Sequence, residues 1–134
     1  MSEKRELPPI PSQTEAIARD IVDAGFKVHT ALGPGLLESS YEHCLSFEIE
    51  SRGYNVKRQI ALPLIYRDIK LDAAYRIDLM VENSVIVEVK AVEAVGQLHE
   101  AQLLTYLRLS GCRLGFLMNF NVPSFKSGIR RFIC

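Results

Sequence analysis

The chain has 134 residues, 48% hydrophobic and 24% charged, with 16 Lys and Arg balancing 16 Asp and Glu. That is the size and balance of one globular domain with a single core, and it excludes disordered, collagen-like and low-complexity classes. A net charge of zero creates no global field drawing the chain to DNA or RNA, so any contact with nucleic acid must come from a local site.

The cysteines, Cys44, Cys112 and Cys134, form no CxxC pair and leave one over. A disulfide framework and a Cys-based zinc site are both disfavoured, and a reducing compartment suits the thiols best. No apolar run approaches the ~20 residues of a membrane span. The opening MSEKRELPPIPSQ is charged and then proline-rich, without the apolar stretch of a signal peptide. The expectation is a cytoplasmic protein with no membrane association.

In chain order, Pro8, Pro9 and Pro11 make residues 1–12 a flexible, Pro-rich lead-in, leaving 13–134 as a single domain. Ser12, with Glu15 three residues on, reads as an N-cap in a capping box. Ile17, Ile21, Val22, Phe26 and Val28 then mark an amphipathic helix ending near His29 or Leu32. Gly33, Pro34 and Gly35 break the chain. A second helix runs from about Leu37 to Arg52, with Tyr41, Cys44, Leu45 and Ile49 at helical spacing and Gly53 as the C′ glycine.

The period then changes to two. Val56, Arg58, Ile60, Leu62 and Leu64 alternate with their neighbours, although Arg58 breaks the apolar set, and Pro63 points to an edge strand or a bulge. A turn at Arg67-Asp68 leads to a strand from Leu71 to Val81. A turn at Glu82-Asn83-Ser84 leads to another from Val85 to Ala91. Gln97 to Ser110 reads as a helix with Leu98, Ala101, Leu104 and Leu107 inward, stopped by Gly111. Leu114 to Phe120 is a strand, and a short one near Ile129 to Ile133 would close the chain. From Leu37 onward the order is α-β-β-β-α-β.

The most informative stretch is YRIDLMVENSVIVEVKA, Tyr75 to Ala91. A three-residue turn at Glu82–Ser84 pairs Val81 with Val85, Leu79 with Val87, and Ile77 with Val89, three apolar pairs on one face. The opposite face then pairs Asp78 with Glu88 and Arg76 with Lys90. Two carboxylates directly across a ladder sit ~5 Å apart at Cβ, a like-charge arrangement that costs stability. A divalent cation such as Mg²⁺ or Mn²⁺, which takes hard oxygen ligands, would offset it. The alternative is a solvated face on which Lys90 pairs with one of the acids.

On these residues the chain resembles the PD-(D/E)xK nuclease superfamily: D-x9-E-x-K on a hairpin, within that element order. More narrowly, GLLESSY at Gly35 to Tyr41 fits the G-x-x-E-x-x-Y signature, and IDLMVENSVIVEVKAV, QLLTYLRL and GFLMNF are similar to the same GxxExxY family. Ile77-Asp78 stands where the superfamily often has Pro-Asp. The resemblance implies an α/β, restriction-endonuclease-like αβββαβ core, a mixed four-stranded sheet flanked by helices. It implies Asp78 and Glu88 as metal-ligating carboxylates, with the Val89 carbonyl as a further ligand and Mg²⁺ or Mn²⁺ as the ion. Lys90 would activate or position the attacking water and stabilise transition-state charge. Glu38 would complete the metal shell directly or through water, and Gln102 would stand beside the active site.

Each has a plainer reading. Glu38 falls in the first turn of its helix, where the dipole alone favours a carboxylate. Gln102 could face solvent. Tyr41 is expected in the core with its hydroxyl on a polar partner. His29 and His43 lack the spacing of a histidine metal site, and His99 reads as a surface or helix-end residue. Lys126, Arg130 and Arg131 would form at most a small phosphate-binding rim. Two functions follow. The first is a metal-dependent phosphodiesterase hydrolysing DNA or RNA, its small footprint widened by a homodimer or a partner protein. The alternative is a non-catalytic nuclease-fold module binding nucleic acid or protein.

Overall fold

The computed structural model describes residues 6–134, with only the backbone of 73 and 74, so residues 1–5 of the expected lead-in lie outside it. Two helices come first, α1 (Ser12–Leu32) and α2 (Glu38–Ser51). A long hairpin follows, β1 (Val56–Tyr66) and β2 (Ile69–Val81), then β3 (Val85–Lys90), α3 (Gln97–Ser110) and β4 (Leu114–Asn119). A single 3-10 turn, Phe125–Gly128, leads into β5 (Ile129–Ile133). The strands lie in the order β1-β2-β3-β4-β5. All neighbours are antiparallel except β3 and β4, which α3 joins in parallel. The mixed sheet flanked by helices is the expected fold class. Its strand count is five rather than four, because Ile129–Ile133 pairs fully with β4.

Two apolar clusters sandwich the sheet. Ile17, Ile21, Ala24 and Val28 of α1 and Tyr41, Leu45 and Ile49 of α2 cover one face, meeting Leu79, Val81, Val85, Val87 and Val89. Leu103, Tyr106 and Leu107 of α3 cover the other face, meeting Leu62, Ile77, Ile86 and Leu117. β3 is buried from Val85 to Val89, as a central strand covered on both faces must be.

Three local expectations are corrected. Ser12 is the first helical residue rather than the cap, which is Pro11, and Glu15 pairs instead with Arg131. The inward stripe of α3 is Leu103, Tyr106 and Leu107, whereas Leu98 is 82% exposed. The first turn of α3 overhangs a cleft beside Tyr75 and Lys90, so its apolar side chains do not reach the sheet.

The third correction concerns the hairpin. Val81–Val85 and Leu79–Val87 pair as expected, but the ladder stops there; the expected Asp78–Glu88, Ile77–Val89 and Arg76–Lys90 pairs are not formed. Leu79 and Val81 pack under α1 and α2, while Ile77, two residues away, packs under α3. The neighbouring strand changes face at the same level: Val56 belongs to the first cluster, Ile60 to the second. Between them lies Gln59, at φ 51°, a left-handed conformation uncommon for a non-glycine residue. Gln59 and Asp78 are skipped in the β1–β2 pairing, between Arg58–Leu79 and Ile60–Ile77. Both strands therefore turn over at one level, and the edges at Asp78 and Glu88 open. Pro63 sits farther out, at the register shift between Leu62 and Leu64 of the edge strand β1.

The turn before β5 is tightly seated. A Cβ on Gly128 would stand 2.1 Å from the Asn119 carbonyl oxygen, a backbone atom that cannot swing aside. Gly128→Ala should destabilise the protein by about 1–3 kcal/mol. The urea midpoint should fall while the slope of the transition stays unchanged; an unmoved midpoint would refute this packing.

Candidate active site

Where the ladder opens, side chains take over its hydrogen bonds. The Val89 N–H donates to Asp78 Oδ2 at 2.9 Å, and the Asp78 N–H donates to Glu88 Oε1 at 3.4 Å. Each strand thus presents its carboxylate to the other strand's backbone. The antiparallel frame holds the two acids together, and the apolar pairs Leu79–Val87 and Val81–Val85 fix their register.

Glu88 is only 5% exposed. Burial pushes its carboxyl far above the ordinary carboxylate range, and the hydrogen bond and charge of Asp78 push the same way, against Lys90. Lys90, at the end of β3, is half-buried, and its backbone is pinned, its carbonyl accepting the Phe120 N–H at 2.9 Å. The chain beyond it is clamped by the buried Asn119. That side chain donates to the Val92 carbonyl at 2.9 Å and accepts the Val92 N–H at 3.1 Å.

Glu38 opens α2 and remains solvent-accessible. Partial desolvation raises its carboxyl, with Lys90 opposing, Asp78 adding to the rise, and the Ala91 backbone within hydrogen-bonding reach. It therefore shares the electrostatic neighbourhood of Asp78 and Lys90. Its approach is set by Tyr41, fully buried against Phe120 with ring centroids 4.7 Å apart. The Tyr41 hydroxyl donates to the Gly33 carbonyl at 2.5 Å and accepts the Leu36 N–H at 3.1 Å. The loop passes through Gly35 at φ 101°, a conformation open to glycine. In G-x-x-E-x-x-Y, the glycine permits the loop and the tyrosine ties it, so that the glutamate between them faces the opened ladder.

From the other side, α3 brings Gln102 within hydrogen-bonding reach of the Tyr106 hydroxyl. Burial and the charges of Glu88 and Asp78 push that hydroxyl up to about 12. Gln102 therefore stands one residue removed from the carboxylate pair.

Two residues of the site were not anticipated. Glu42, one turn after Glu38, is buried, 2.8 Å from Arg58 Nη2 and 2.6 Å from Gln59 Nε2. The same Gln59 amide lies 3.4 Å from Asp78 Oδ1. Glu42 thereby anchors the left-handed residue that turns the strand over. Arg58, the polar residue in an otherwise apolar alternation, was the available signal.

A family model of the PD-(D/E)XK nuclease superfamily matches residues 15–132. The chain belongs to this superfamily. No curated protein and no solved structure matches it. Membership in the PD-(D/E)XK superfamily implies nucleic-acid binding, and its nucleases typically use divalent metals. Among the described residues no three or more His, Cys, Asp or Glu side chains converge on one point. The two carboxylates that do face each other, Asp78 and Glu88, are hard oxygen donors. That set fits a small divalent cation keeping several of its waters.

The raised carboxyl of Glu88 fixes a pH dependence. Its folded value lies above the ordinary 4.5, so the associated stability is fully present below that pH and is lost as pH climbs toward the folded value. Glu88→Gln mimics the protonated acid and removes this loss. In EDTA, the stability of Glu88→Gln relative to the parent should rise steadily between about pH 5 and pH 8, by at most ~1.4 kcal/mol per unit. Urea titrations at several pH values measure it; a difference independent of pH would contradict the burial of an ionisable Glu88.

Proposed function

We propose that the chain is a divalent-metal-dependent phosphodiesterase of the GxxExxY type, hydrolysing DNA or RNA. The observation that carries this reading is the opened ladder, which aims two carboxylates at one point and sets Lys90 at its edge. Asp78 and Glu88 would hold Mg²⁺ or Mn²⁺, with the Val89 carbonyl and Glu38, directly or through water, as further ligands. The ion, when bound, supplies a Lewis acid for the scissile phosphate and an acidified water.

The remaining work falls to the chain's own groups. Lys90 cannot ligate a cation while protonated, so its ammonium is free to orient the attacking water and to meet charge developing on phosphate oxygens. Gln102, beside Tyr106, would hold the adjacent part of the substrate. Glu42 and Gln59 act through Asp78, as positioning residues. Specific nucleic-acid contact calls for ~1,000 Å² or more of interface, which a chain this small would reach with a second copy or a partner protein. Three free thiols suit a cytoplasmic setting; among the described residues no helix is long and apolar enough to cross a membrane.

A second reading, a non-catalytic module on the nuclease fold, draws on the zero net charge and on the absence of a third converging ligand among the described residues. One set of measurements separates the two. Mn²⁺ should raise the melting temperature of the parent; binding only to the folded state stabilises by ~2.7 kcal/mol at a hundred times Kd. Asp78→Asn should abolish that shift. Lys90→Ala should keep it while slowing cleavage of DNA or RNA by roughly 10²–10³-fold. Lys90→Arg should rescue incompletely, because a planar fork replaces a point charge. Cleavage by Lys90→Ala at the parental rate would remove the assigned role, and absence of cleavage by the parent with either metal would favour the binding module.

A further inference from the structure

Beside Lys90 lies a cleft of about 490 Å³, walled by Tyr75 of β2 and by Leu98, Ala101, Gln102 and Thr105 of α3. Its volume falls within the ~300–1,000 Å³ of small-ligand sites. Tyr75 is 38% exposed and Leu98 82% exposed, so two large apolar side chains face water at the mouth. Tyr75 does not stand alone: the buried Tyr106 backs it, ring centroids 6.1 Å apart at 57°. The cleft thus has a supported aromatic wall, an apolar opposite wall, and amide and hydroxyl groups between. Lys90 lines one end, and that lysine also borders the carboxylate pair.

We propose that this cleft receives an unpaired nucleobase of the substrate strand, stacked on the Tyr75 ring, so that the chain acts on single-stranded or locally unpaired nucleic acid. The inference rests on the nuclease reading only for the role of Lys90. A base seated against Tyr75 would lie in the same cleft as Lys90, with its phosphodiester directed toward that lysine. Stacking on an aromatic ring is open to every base, while Gln102 and Thr105 can meet base edges. A base stacked inside a duplex cannot enter such a cleft without being extruded.

Charge points the same way. The chain is neutral, and Glu38 and Asp78 share the surroundings of Lys90, so phosphate attraction alone is weak. A stacked base adds an attraction that needs no positive field. The position of Leu98 also gains a reason: a residue expected in the core stands at the mouth of the cleft.

The test uses the full chain carrying Asp78→Asn, which lowers the local repulsion and stops turnover. Fluorescence anisotropy compares one short sequence as a single strand, as a duplex and as a strand of abasic sites, in DNA and in RNA. The intact single strand should bind about tenfold or more tighter than either control, the scale of one base–aromatic stack. Adding Tyr75→Ala should erase the advantage and Tyr75→Phe should restore it. Ala101→Leu, at an exposed helical position that the fold tolerates, should narrow the cleft and weaken the same complex. Equal affinity for intact and abasic strands, a preference for duplex, or indifference to both Tyr75→Ala and Ala101→Leu would overturn the proposal. Base-dependent binding by a parent that cleaves nothing would uphold the cleft and sink the nuclease reading. Cleavage by a parent whose variants bind intact and abasic strands alike would do the reverse.

Discussion

Asp78 and Glu88 stand across from each other with each carboxylate taking a hydrogen bond from the other strand's backbone. In a regular antiparallel pair those N–H groups would serve the ladder, and the acids would project in parallel from one face. Here the strands part. The separation needs both neighbours of the centre to bend at one level, and they do: β1 passes through the left-handed Gln59, and Ile77 crosses to the α3 layer. The opening admits α2 from one side, with Glu38 and Glu42, and α3 from the other, with Gln102 and Tyr106. No single element carries the site; it exists where the pairing stops.

Such a site is costly, and the surroundings show how it is sustained. A buried carboxyl beside another is destabilising unless protonated or matched by positive charge. The Glu42–Arg58 pair adds little stability of its own, since buried ion pairs barely repay their desolvation and Arg58 Nε has no partner among the described residues. Its worth is geometric, holding Gln59 where the strand turns over. Compensation comes from β3, whose Val85, Val87 and Val89 are fully buried on one face and Ile86 on the other. At ~1.5–3 kcal/mol for each fully buried aliphatic side chain, this strand can tolerate one misplaced carboxylate. The Asn119 clamp and the Tyr41 tie cover no charge, yet they fix the two segments, after Lys90 and before Glu38, that would otherwise drift.

The sequence was legible wherever local chemistry decides. Gly33-Pro34-Gly35 separated the helices, and Glu82 and Asn83, both at φ 52°, made the turn that sets the register of β2 against β3. The pairing nearest that turn follows from it. Two residues farther on the reading failed, because it carried a period of two through a strand that changes face. A glutamine has no intrinsic preference for the left-handed region, so Gln59 announced nothing by its type. Arg58 did break the apolar alternation, but its buried partner Glu42 lies on a helix 16 residues earlier. Likewise Leu98 and Ala101 satisfy helical spacing as well as Leu103 and Tyr106 do. Only the tertiary placement of α3, its first turn beyond the sheet, tells which stripe is core.

Neutral net charge and a concentrated acidic site bear on each other. A chain with a broad basic surface would hold nucleic acid by its phosphates regardless of the state of its centre. This chain has no such surplus, and its centre, with Glu38, Asp78 and Glu88 against one Lys90, repels phosphate unless the acids are protonated or compensated. In the proposed reaction, whatever neutralises the carboxylates would therefore also govern approach of the strand. On the proposed reading, recognition and chemistry would share one local charge balance, centred on Glu88, the acid the core buries most deeply.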